Sequence, residues 1–245
     1  MLKLFKISFS ILIIAMMLML TLVWFWKNEA FELKAAKIQG NRFVTKEEIF
    51  ELAGIDFSKD IFEIDTDEIE TRILNHPMIE QVSVTRFLPS ALKIKVKERD
   101  LIAVISGSAI SAVDGAGNIL AQFPIESVYD LPVITGFHFQ VDSIGGKNLK
   151  NPELVQRAIN ILNEIKDFDF IIYHEISELH YSQKHGFIFH LKKPNIPVIF
   201  GKDHYHRKVV YLSTIYHHLW EKNILNDIKV IDVRYDNQVV VKNRT

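Results

Sequence analysis

The side chains in this sequence most able to do chemistry are its ten histidines, because the chain contains no cysteine. On a predicted helix, His204 and His206 are two residues apart and point about 200° away from each other, so they cannot share a metal ion. His206 and His217 share a helix face but lie roughly 16 Å apart along the axis, which is too far for chelation. No serine–histidine–aspartate set, phosphate loop or calcium loop can be recognised either. The sequence therefore predicts no catalytic residue, no metal centre and no cofactor, and a protein that is not an enzyme.

Composition sets the scale of the fold and argues against one class of partner. The chain has 245 residues, enough for two compact domains, and its 48% of hydrophobic residues is ordinary for a folded protein. Lysine plus arginine (29) nearly balances aspartate plus glutamate (30), for a formal net charge of -1. Because nucleic-acid binding depends on a basic surface, this balance indicates no nucleic-acid partner. No motif indicates a small-molecule substrate.

Residues 7–26 form a long apolar run near the start of the chain. Only three of these 20 residues are polar and none is charged. As a helix the run would be about 30 Å long, the thickness of a bilayer hydrocarbon core. Because Lys3 and Lys6 precede it, we predict a cytoplasmic tail at residues 1–6, a transmembrane anchor at residues 7–26 and the rest of the chain outside the cytoplasm. A cleaved signal peptide is disfavoured, because the run ends in bulky aromatic residues where a cleavage site needs small ones.

Residues 33–99 have the pattern of a small α+β domain with the order strand, helix, helix, strand, strand. Thr45 and Glu48 are spaced as a capping box at the start of the first helix, and Gly54 is placed to end it. Residues 82–97 contain two runs of alternating apolar and polar side chains, which predict an antiparallel hairpin with one buried face. The lysine and glutamate side chains on the outer face of the last strand are interpreted as solvated.

Residues 100–245 are predicted to form a mainly β domain with two helices. The first helix begins with Asn151 as N-cap and Pro152 at the first helical position, and the second spans residues 203–222. Between them, residues 171–192 are predicted to form a hairpin with Gly186 in the left-handed conformation. The last strands are predicted at residues 228–235 and 239–241, with a turn at Asp236 and Asn237.

The last predicted strand has apolar residues at three successive positions, Val239, Val240 and Val241. Because side chains alternate between the two faces of a strand, both faces are expected to meet apolar surroundings. A terminal strand can lie at a sheet edge, where unpaired backbone groups accept a strand from another protein. It can equally close the core between two neighbours, and the periodicity leaves both arrangements open.

Several stretches of the sequence together resemble the FtsQ/DivIB family of bacterial cell division proteins. The similarity to the family's POTRA domain rests on residues 38–41 (IQGN), 45–49 (TKEEI), 60–65 (DIFEID), 76–79 (HPMI), 82–89 (VSVTRFLP) and 94–99 (IKVKER). The similarity to its β domain rests on residues 113–117 (VDGAG), 131–136 (LPVITG) and 231–235 (IDVRY). The order and spacing of these stretches are more specific than any one of them.

The resemblance implies an α+β protein with a single transmembrane helix, a POTRA domain at residues 33–99 and a β domain at residues 100–245. It also implies a scaffold without catalytic activity, single-pass in the bacterial inner membrane at the division septum, with its bulk in the periplasm. Its partners would be membrane-anchored division proteins of the coiled-coil FtsB/FtsL type, bound along the last strand of the β domain. The corresponding positions in this sequence are Arg234, Tyr235, Asn237, Gln238, Val239, Val240 and Val241.

Two other functions stay open at this point. POTRA domains also occur in envelope assembly and translocation proteins, so an adaptor for unfolded strands is one alternative. A membrane-anchored cell-wall enzyme, with histidines gathered by the fold, is the other. The sequence also departs from the family at Gln238, where glycine is common, and this residue can alter the turn and hence the pairing register.

Overall fold

A computed structural model of the protein describes residues 2–27, 31–106, 110–136 and 152–244. The chain divides into two compact units, Met1–Glu98 and Arg99–Thr245, and each is described by itself. Asn151, predicted to be a helix N-cap, lies outside the described residues.

The first unit begins with helix α1, Leu2–Lys27, which contains the apolar run of residues 7–26. Within α1 the side chains of residues 9–24 are described, and all of them are exposed. The side chains at positions 2–8 and 25–27 of α1 are not described. Across the part of the chain that the structure describes, no helix meets the combined requirement of length and apolarity for crossing a membrane.

The rest of the first unit is a three-stranded sheet with two helices, in the order that the sequence predicts. Its elements are β1 (Ala35–Gln39), α2 (Lys46–Ala53), α3 (Thr66–Leu74), β2 (Ile79–Phe87) and β3 (Ala91–Glu98). β3 lies in the middle, parallel to β1 and antiparallel to β2, so the predicted hairpin is confirmed. The core between sheet and helices includes Ile38, Ile49, Ile69, Ile73, Leu92 and Ile94.

Polar side chains at the helix ends explain where α2 and α3 begin. Thr45 accepts a hydrogen bond from the Glu48 backbone N–H (3.2 Å), and Gly54 ends α2 in the left-handed conformation with φ 55°. The Glu48 carboxylate reaches His76 Nε2 (3.1 Å) in place of the Thr45 N–H that a complete capping box would use. Asp65 caps α3 by accepting two backbone N–H groups of its first turn. Local sequence therefore determines where both helices start. The Glu48 side chain, by contrast, contacts His76 instead of completing the capping box.

Glu98, at the end of β3, has a structural role that its alternation pattern does not reveal. Its carboxylate accepts hydrogen bonds from the backbone N–H groups of Arg42, Phe43 and Val44, at distances between 2.6 and 3.0 Å. These donors lie in the loop between β1 and α2, where no strand or helix bonds satisfy them. The interpretation of the outer side chains of β3 as solvated is therefore wrong for Glu98.

The second unit is built on one sheet, whose described strands number nine. They are β4 (Leu101–Ser106), β5 (Ile110–Asp114), β6 (Ile119–Leu120), β7 (Val133–Thr135), β8 (Ile176–Ser182), β9 (Gly186–Leu191), β10 (Pro197–Gly201), β11 (Ile228–Asp232) and β12 (Val240–Asn243). Across the sheet the order is β12-β11-β10-β9-β8-β7-β4-β5-β6. β6 and β12 are therefore its two edges within the described residues.

Helices α4 (Pro152–Phe168), α5 (Phe170–Glu175) and α6 (Tyr205–Glu221) belong to this unit, together with two 3-10 helices, Ile125–Val128 and Leu225–Asp227. Leu162 of α4 and Leu212 of α6 share one hydrophobic core with Phe189 of the sheet. The helix predicted to begin at Pro152 and the helix predicted at residues 203–222 are thus both present. The second, α6, starts only after His204, which has φ 51°. The sheet and these helices form the layers that support β11 and β12.

The strand predicted from residue 171 is wrong in its first part, because residues 170–175 form α5. Asp169 starts this helix by accepting the Ile172 N–H at 3.2 Å. The same carboxylate binds the hydroxyl of Ser213 (2.6 Å) and lies 2.7 Å from His217 Nε2, both on α6. Burial raises the pKa of Asp169, but these hydrogen bonds outweigh burial and hold the pKa below its usual value. This cap, together with the contact to α6, overrides the β propensity of the isoleucines.

The turn after β5 explains the composition of the VDGAG stretch. The Asp114 carboxylate accepts the backbone N–H groups of Ala116 (3.0 Å) and Asn118 (2.8 Å), and it binds Arg99 at 3.0 Å. Gly117 takes φ 93°, a conformation that favours glycine. Burial raises the pKa of Asp114, but the hydrogen bonds from Asn118 and Arg99 together lower it by more than burial raises it. The net shift of the pKa is therefore downward. The turn into β6 is thus organised by one ionised carboxylate.

Candidate functional site

The site predicted from the sequence lies at one edge of the sheet. β12 pairs antiparallel with β11, with Ile231 opposite Val241 and Asp232 opposite Val240. Among the described strands, only β11 flanks β12. Of the two arrangements that the periodicity left open, the structure has the edge strand.

Both strands differ from their predicted bounds. β11 ends at Asp232 instead of residue 235, and β12 covers Val240–Asn243 instead of residues 239–241. The early end of β11 has a local cause, because the Asp232 side chain accepts the backbone N–H of Arg234 at 3.1 Å. Such a side-chain bond competes with the strand ladder and turns the chain out of the sheet.

The three valines divide between the two faces of the sheet. Val239 and Val241 pack against the hydrophobic core, whereas Val240 lies across from Asp232. The expectation of apolar surroundings on both faces therefore holds for the core face, but the cross-strand neighbour of Val240 is a carboxylate. All three valines are half-buried, so apolar surface stays accessible at the edge strand.

Arg234 is fixed by a nearly buried carboxylate just before the turn. Its guanidinium donates from Nε to Oδ1 of Asp232 (2.9 Å) and from Nη2 to Oδ2 (2.6 Å). Burial raises the pKa of Asp232, but the hydrogen bonds from Arg234 outweigh burial and the net pKa is lowered. The guanidinium also lies 5.8 Å from the ring centre of Tyr235, which is 45% exposed. Arg234 is thus neutralised by Asp232 and helps to position Tyr235.

The turn between β11 and β12 is held by α6. Asn237 takes the left-handed conformation, φ 59°, which asparagine tolerates better than most residues. Its side-chain oxygen accepts a hydrogen bond from the Tyr211 hydroxyl (3.3 Å), and Asp236 lies 3.5 Å from Arg207. The positive φ of the turn falls on Asn237, and Gln238 is not among the described residues with positive φ. Gln238 therefore fits this turn without needing glycine's backbone freedom.

Three residues outside the predicted set complete this region. Arg207 and Tyr211 come from α6, four positions apart and therefore on one helix face. His185, in the hairpin between β8 and β9, places Nδ1 3.4 Å from Nη1 of Arg234. The spacing of Arg207 and Tyr211 is the only signal of these contacts in the sequence, because the contacts join segments that are distant along the chain.

Elsewhere, the histidines that could have gathered into a metal or acid–base centre are used separately. Each of four contacts a different carboxylate: His76 with Glu48, His180 with Glu178, His206 with Glu164 and His217 with Asp169. Within the described residues, no group of three or more potential metal ligands comes together.

Comparison with protein families covers most of the chain. Residues 31–99 match the family model described as a POTRA domain of FtsQ type. Residues 122–242 match the one described as FtsQ/DivIB, C-terminal related, and this range includes the candidate site. The chain belongs to the FtsQ/DivIB family. The resemblance inferred from the sequence motifs is therefore confirmed.

Relatives of this FtsQ/DivIB protein carry names from cell division. It is 27% identical to the cell division protein FtsQ of Geobacter sp. over 216 residues, which are 88% of the chain and 77% of that relative. Its identity to FtsQ of Syntrophotalea carbinolica is also 27%, over 215 residues that cover 88% of the chain and 75% of the relative. The cell division protein DivIB of Staphylococcus pseudintermedius is 28% identical over 106 residues, 43% of the chain and 36% of that protein. Membership of this family supports a role in cell division.

Proposed function

We propose that this FtsQ/DivIB protein is a non-enzymatic scaffold of septum assembly that captures another division protein along β12. The observation that carries the proposal is the position of β12 at the edge of the sheet, next to β11 alone among the described strands. Alternate backbone groups of an edge strand point away from its neighbour, where they can pair with an incoming strand.

The surroundings of β12 favour main-chain pairing supported by apolar contacts. Val240 offers a half-buried apolar side chain on the face away from the core, and Tyr235 lies exposed just before the turn. Arg234 is already paired with Asp232, so it has little charge to offer a partner. Recognition by this edge is therefore expected to depend on strand pairing and shape more than on salt bridges.

The proposed partners are membrane-anchored division proteins of the coiled-coil FtsB/FtsL type, and the proposed location is the bacterial inner membrane at the septum. Helix α1 would be the single membrane anchor, with the N-terminus in the cytoplasm and the two domains in the periplasm. The support for this anchor is its length of 26 residues, together with the exposed apolar side chains along residues 9–24. A helix of this length extends about 39 Å, more than the hydrocarbon core of a bilayer.

The absence of catalysis is part of the proposal. It is supported by the structural use of the histidines, since His217 helps to fix Asp169 at the start of α5 and His185 lies beside Arg234. The envelope-adaptor and cell-wall-enzyme alternatives have no comparable support from a specific contact.

The test compares Val240→Glu with Ile110→Glu in the full chain. Both substitutions replace an accessible β-branched side chain of the same sheet by glutamate, but Ile110 begins β5 and is remote from β12 in strand order. Each variant is co-expressed with the FtsB- and FtsL-type proteins of the same genome, and capture is measured after membrane solubilisation.

Val240→Glu is expected to abolish capture, because a charge would lie beside the side chains of the added strand on the same sheet face, while Ile110→Glu captures normally. Tyr235→Ala is expected to weaken capture as well. Undiminished capture by both Val240→Glu and Tyr235→Ala would place the binding site elsewhere.

A further inference from the structure

The end of the POTRA domain at which the chain enters is formed by three segments held together by backbone hydrogen bonds. Leu33, just before β1, donates its N–H to the carbonyl of Lys59 (3.1 Å). Lys34 donates to the carbonyl of Ser90 (2.8 Å), in the turn between β2 and β3. The chain entry, the loop before α3 and the β2–β3 turn therefore lie at the same end of the domain.

This end exposes large apolar side chains. Phe62 is 59% exposed, Phe87 69% and Leu88 55%. The ring of Phe31 lies 5.4 Å from that of Phe62, which extends the same apolar surface. We call Phe31, Phe62, Phe87 and Leu88 the aromatic end. Leu74, at the C-terminus of α3, is the large exposed apolar side chain described at the opposite end of β2.

The aromatic end is held in place although its side chains are exposed. Ile61 donates its backbone N–H to the carbonyl of Phe31 (2.8 Å). The guanidinium of Arg86 binds the carbonyls of Ile61 (2.9 Å) and Ile64 (2.5 Å), so the residue next to Phe87 fixes the loop that carries Phe62. Exposed aromatic side chains on such a supported backbone typically mark a contact surface.

The length of chain before the aromatic end determines what that surface can meet. Phe31 follows the last residue of α1, Lys27, by four positions, so the two cannot be more than about 14 Å apart whatever the chain between them does. The polar layer of a bilayer is roughly 5–8 Å thick on each side of the hydrocarbon core. If α1 spans the membrane, the aromatic end must therefore lie at or near the membrane surface.

The segments that form the aromatic end carry no excess of positive charge. Three cationic side chains (Lys34, Lys59 and Arg86) accompany five acidic ones (Glu32, Asp56, Asp60, Glu63 and Asp65). Attraction to anionic lipid headgroups would need an excess of positive charge. Partial burial of phenylalanine and leucine in the interfacial layer needs none.

We infer that the aromatic end docks onto the outer surface of the bilayer in which α1 is anchored, with Phe62, Phe87 and Leu88 inserted at the level of the headgroups. This inference rests on the proposed anchor. Its consequence is a POTRA domain held against the membrane by two attachments, the helix and the aromatic end, instead of one.

The test uses the absence of cysteine from the chain, which allows single nitroxide labels to be placed in the full-length protein. Labels at Leu88→Cys, Leu74→Cys and Met17→Cys are compared in phosphatidylcholine nanodiscs. Collision with oxygen, relative to collision with a water-soluble nickel chelate, reports the depth of each label. Leu74 is the matched control, because the same label replaces the same residue type on the same domain.

We expect a membrane-buried signal at Met17, an interfacial signal at Leu88 and an aqueous signal at Leu74. The double substitution Phe62→Ser and Phe87→Ser should bring the Leu88 signal to the aqueous level, whereas Leu74→Ser should leave it unchanged. Adding phosphatidylglycerol should not deepen the Leu88 signal, because this end has no excess of positive charge to attract anionic lipid.

Different failures contradict different steps. A buried Met17 with an aqueous Leu88 would overturn the docking inference and leave the anchor intact. An aqueous Met17 would overturn the anchor and, with it, the docking. Shielding of Leu88 that arises only after a division partner is added would overturn bilayer docking in favour of a protein contact.

Discussion

The sheets of the two domains each end in an exposed edge strand, but the two strands differ in whether a side chain already binds their outward backbone groups. In the POTRA domain β2 is nine residues long, and the carboxylate of Glu70 on α3 accepts the backbone N–H of Val84 at 2.6 Å. That donor is therefore already satisfied and cannot pair with an incoming strand. β12 of the β domain has only four residues, yet within the described chain no side chain occupies its backbone in this way.

The comparison indicates that the length of an edge strand does not make it receptive. What distinguishes β12 is an outer edge that no described strand or side chain occupies, combined with support from behind. That support comes from Asp232 and Arg234, which fix the chain before the turn, and from Tyr211, which binds Asn237. The longer strand has an outward donor that is already satisfied, and the shorter one is the strand proposed above to pair with a partner.

Removing the support of β12 is expected to have the largest effect. Asp232→Ala deletes the acceptor of three hydrogen bonds from Arg234 and leaves its guanidinium without this partner. The local free energy of unfolding of β11 and β12 should fall by about 2–3 kcal/mol. Amide hydrogen exchange of residues 228–243 in the full chain measures this change.

Arg207→Ala is the matched control for Asp232→Ala. It removes an ion pair with Asp236 that touches the same turn, but both of these side chains are more than half exposed. The control should change local stability by less than about 0.5 kcal/mol. Equal effects of the two substitutions would mean that the nearly buried carboxylate is not what supports the edge.

Removing the Glu70 carboxylate, which binds the Val84 N–H, should make the outer edge of β2 more like that of β12. Glu70→Ala frees the N–H of Val84 and is expected to lower the stability of the POTRA domain by about 1–2 kcal/mol. The exposed edge should also cause self-association that increases with protein concentration. Analytical ultracentrifugation of the full chain in detergent detects this association.

Glu68→Ala is the control for Glu70→Ala. It also removes a negative charge from α3, but it leaves the hydrogen bond between Glu70 and Val84 in place. Glu68 pairs with Arg72 one turn later at an exposed position, so its loss should matter by only about 0.3–0.5 kcal/mol and cause no association. If Glu70→Ala stays monomeric as well, the proposed difference between the two edges is wrong.

Acid should destabilise the β domain by protonating three of its hydrogen-bonded carboxylates. The folded-state pKa values of Asp114, Asp169 and Asp232 are all lowered, because their hydrogen bonds outweigh the effect of burial. Below about pH 4 the unfolded chain binds more protons at these groups than the folded chain does, so stability falls as pH falls through the folded-state pKa values. Urea unfolding should therefore show little change from these three groups between about pH 5 and 7 and a steep loss below about pH 4.

Asp169→Asn tests which groups cause that loss. The variant keeps a polar side chain at the start of α5 but has no carboxylate to protonate, so its stability should fall less steeply in acid than that of the native chain. An unchanged slope would mean that Asp169 contributes nothing to the acid response.

The parts of the fold that could be predicted from the sequence are those fixed by local pattern. Strand alternation and the caps at Thr45 and Asp65 were sufficient for the order of elements in the POTRA domain. The position of the terminal strand could be narrowed to two arrangements, because residues 239–241 are apolar on both faces. Whether the strand lies at the sheet edge or between two neighbours depends on the strand order of the sheet. The periodicity of a single strand gives no information about that order.

The parts that could not be predicted depend on contacts between distant segments. Glu98 looked like one more outward charge, because its three backbone partners lie more than 50 residues earlier in the chain. α5 looked like a strand, because the contact of Asp169 with α6 does not show in local propensity. His185 likewise reaches Arg234 from a separate hairpin.

The smallest predicted effect concerns Gln238, a residue that the sequence predicts can alter the turn. If glutamine strained the turn, Gln238→Gly would stabilise β12 and tighten partner capture. The left-handed residue is Asn237, however, so glycine at position 238 relieves no strain and only adds freedom to the unfolded chain. We therefore expect a loss of about 0.4–1 kcal/mol in the local stability of β12, with unchanged pairing between Ile231 and Val241. Hydrogen exchange measures the first quantity, and a gain in stability would show that this edge is held in a register its own turn disfavours.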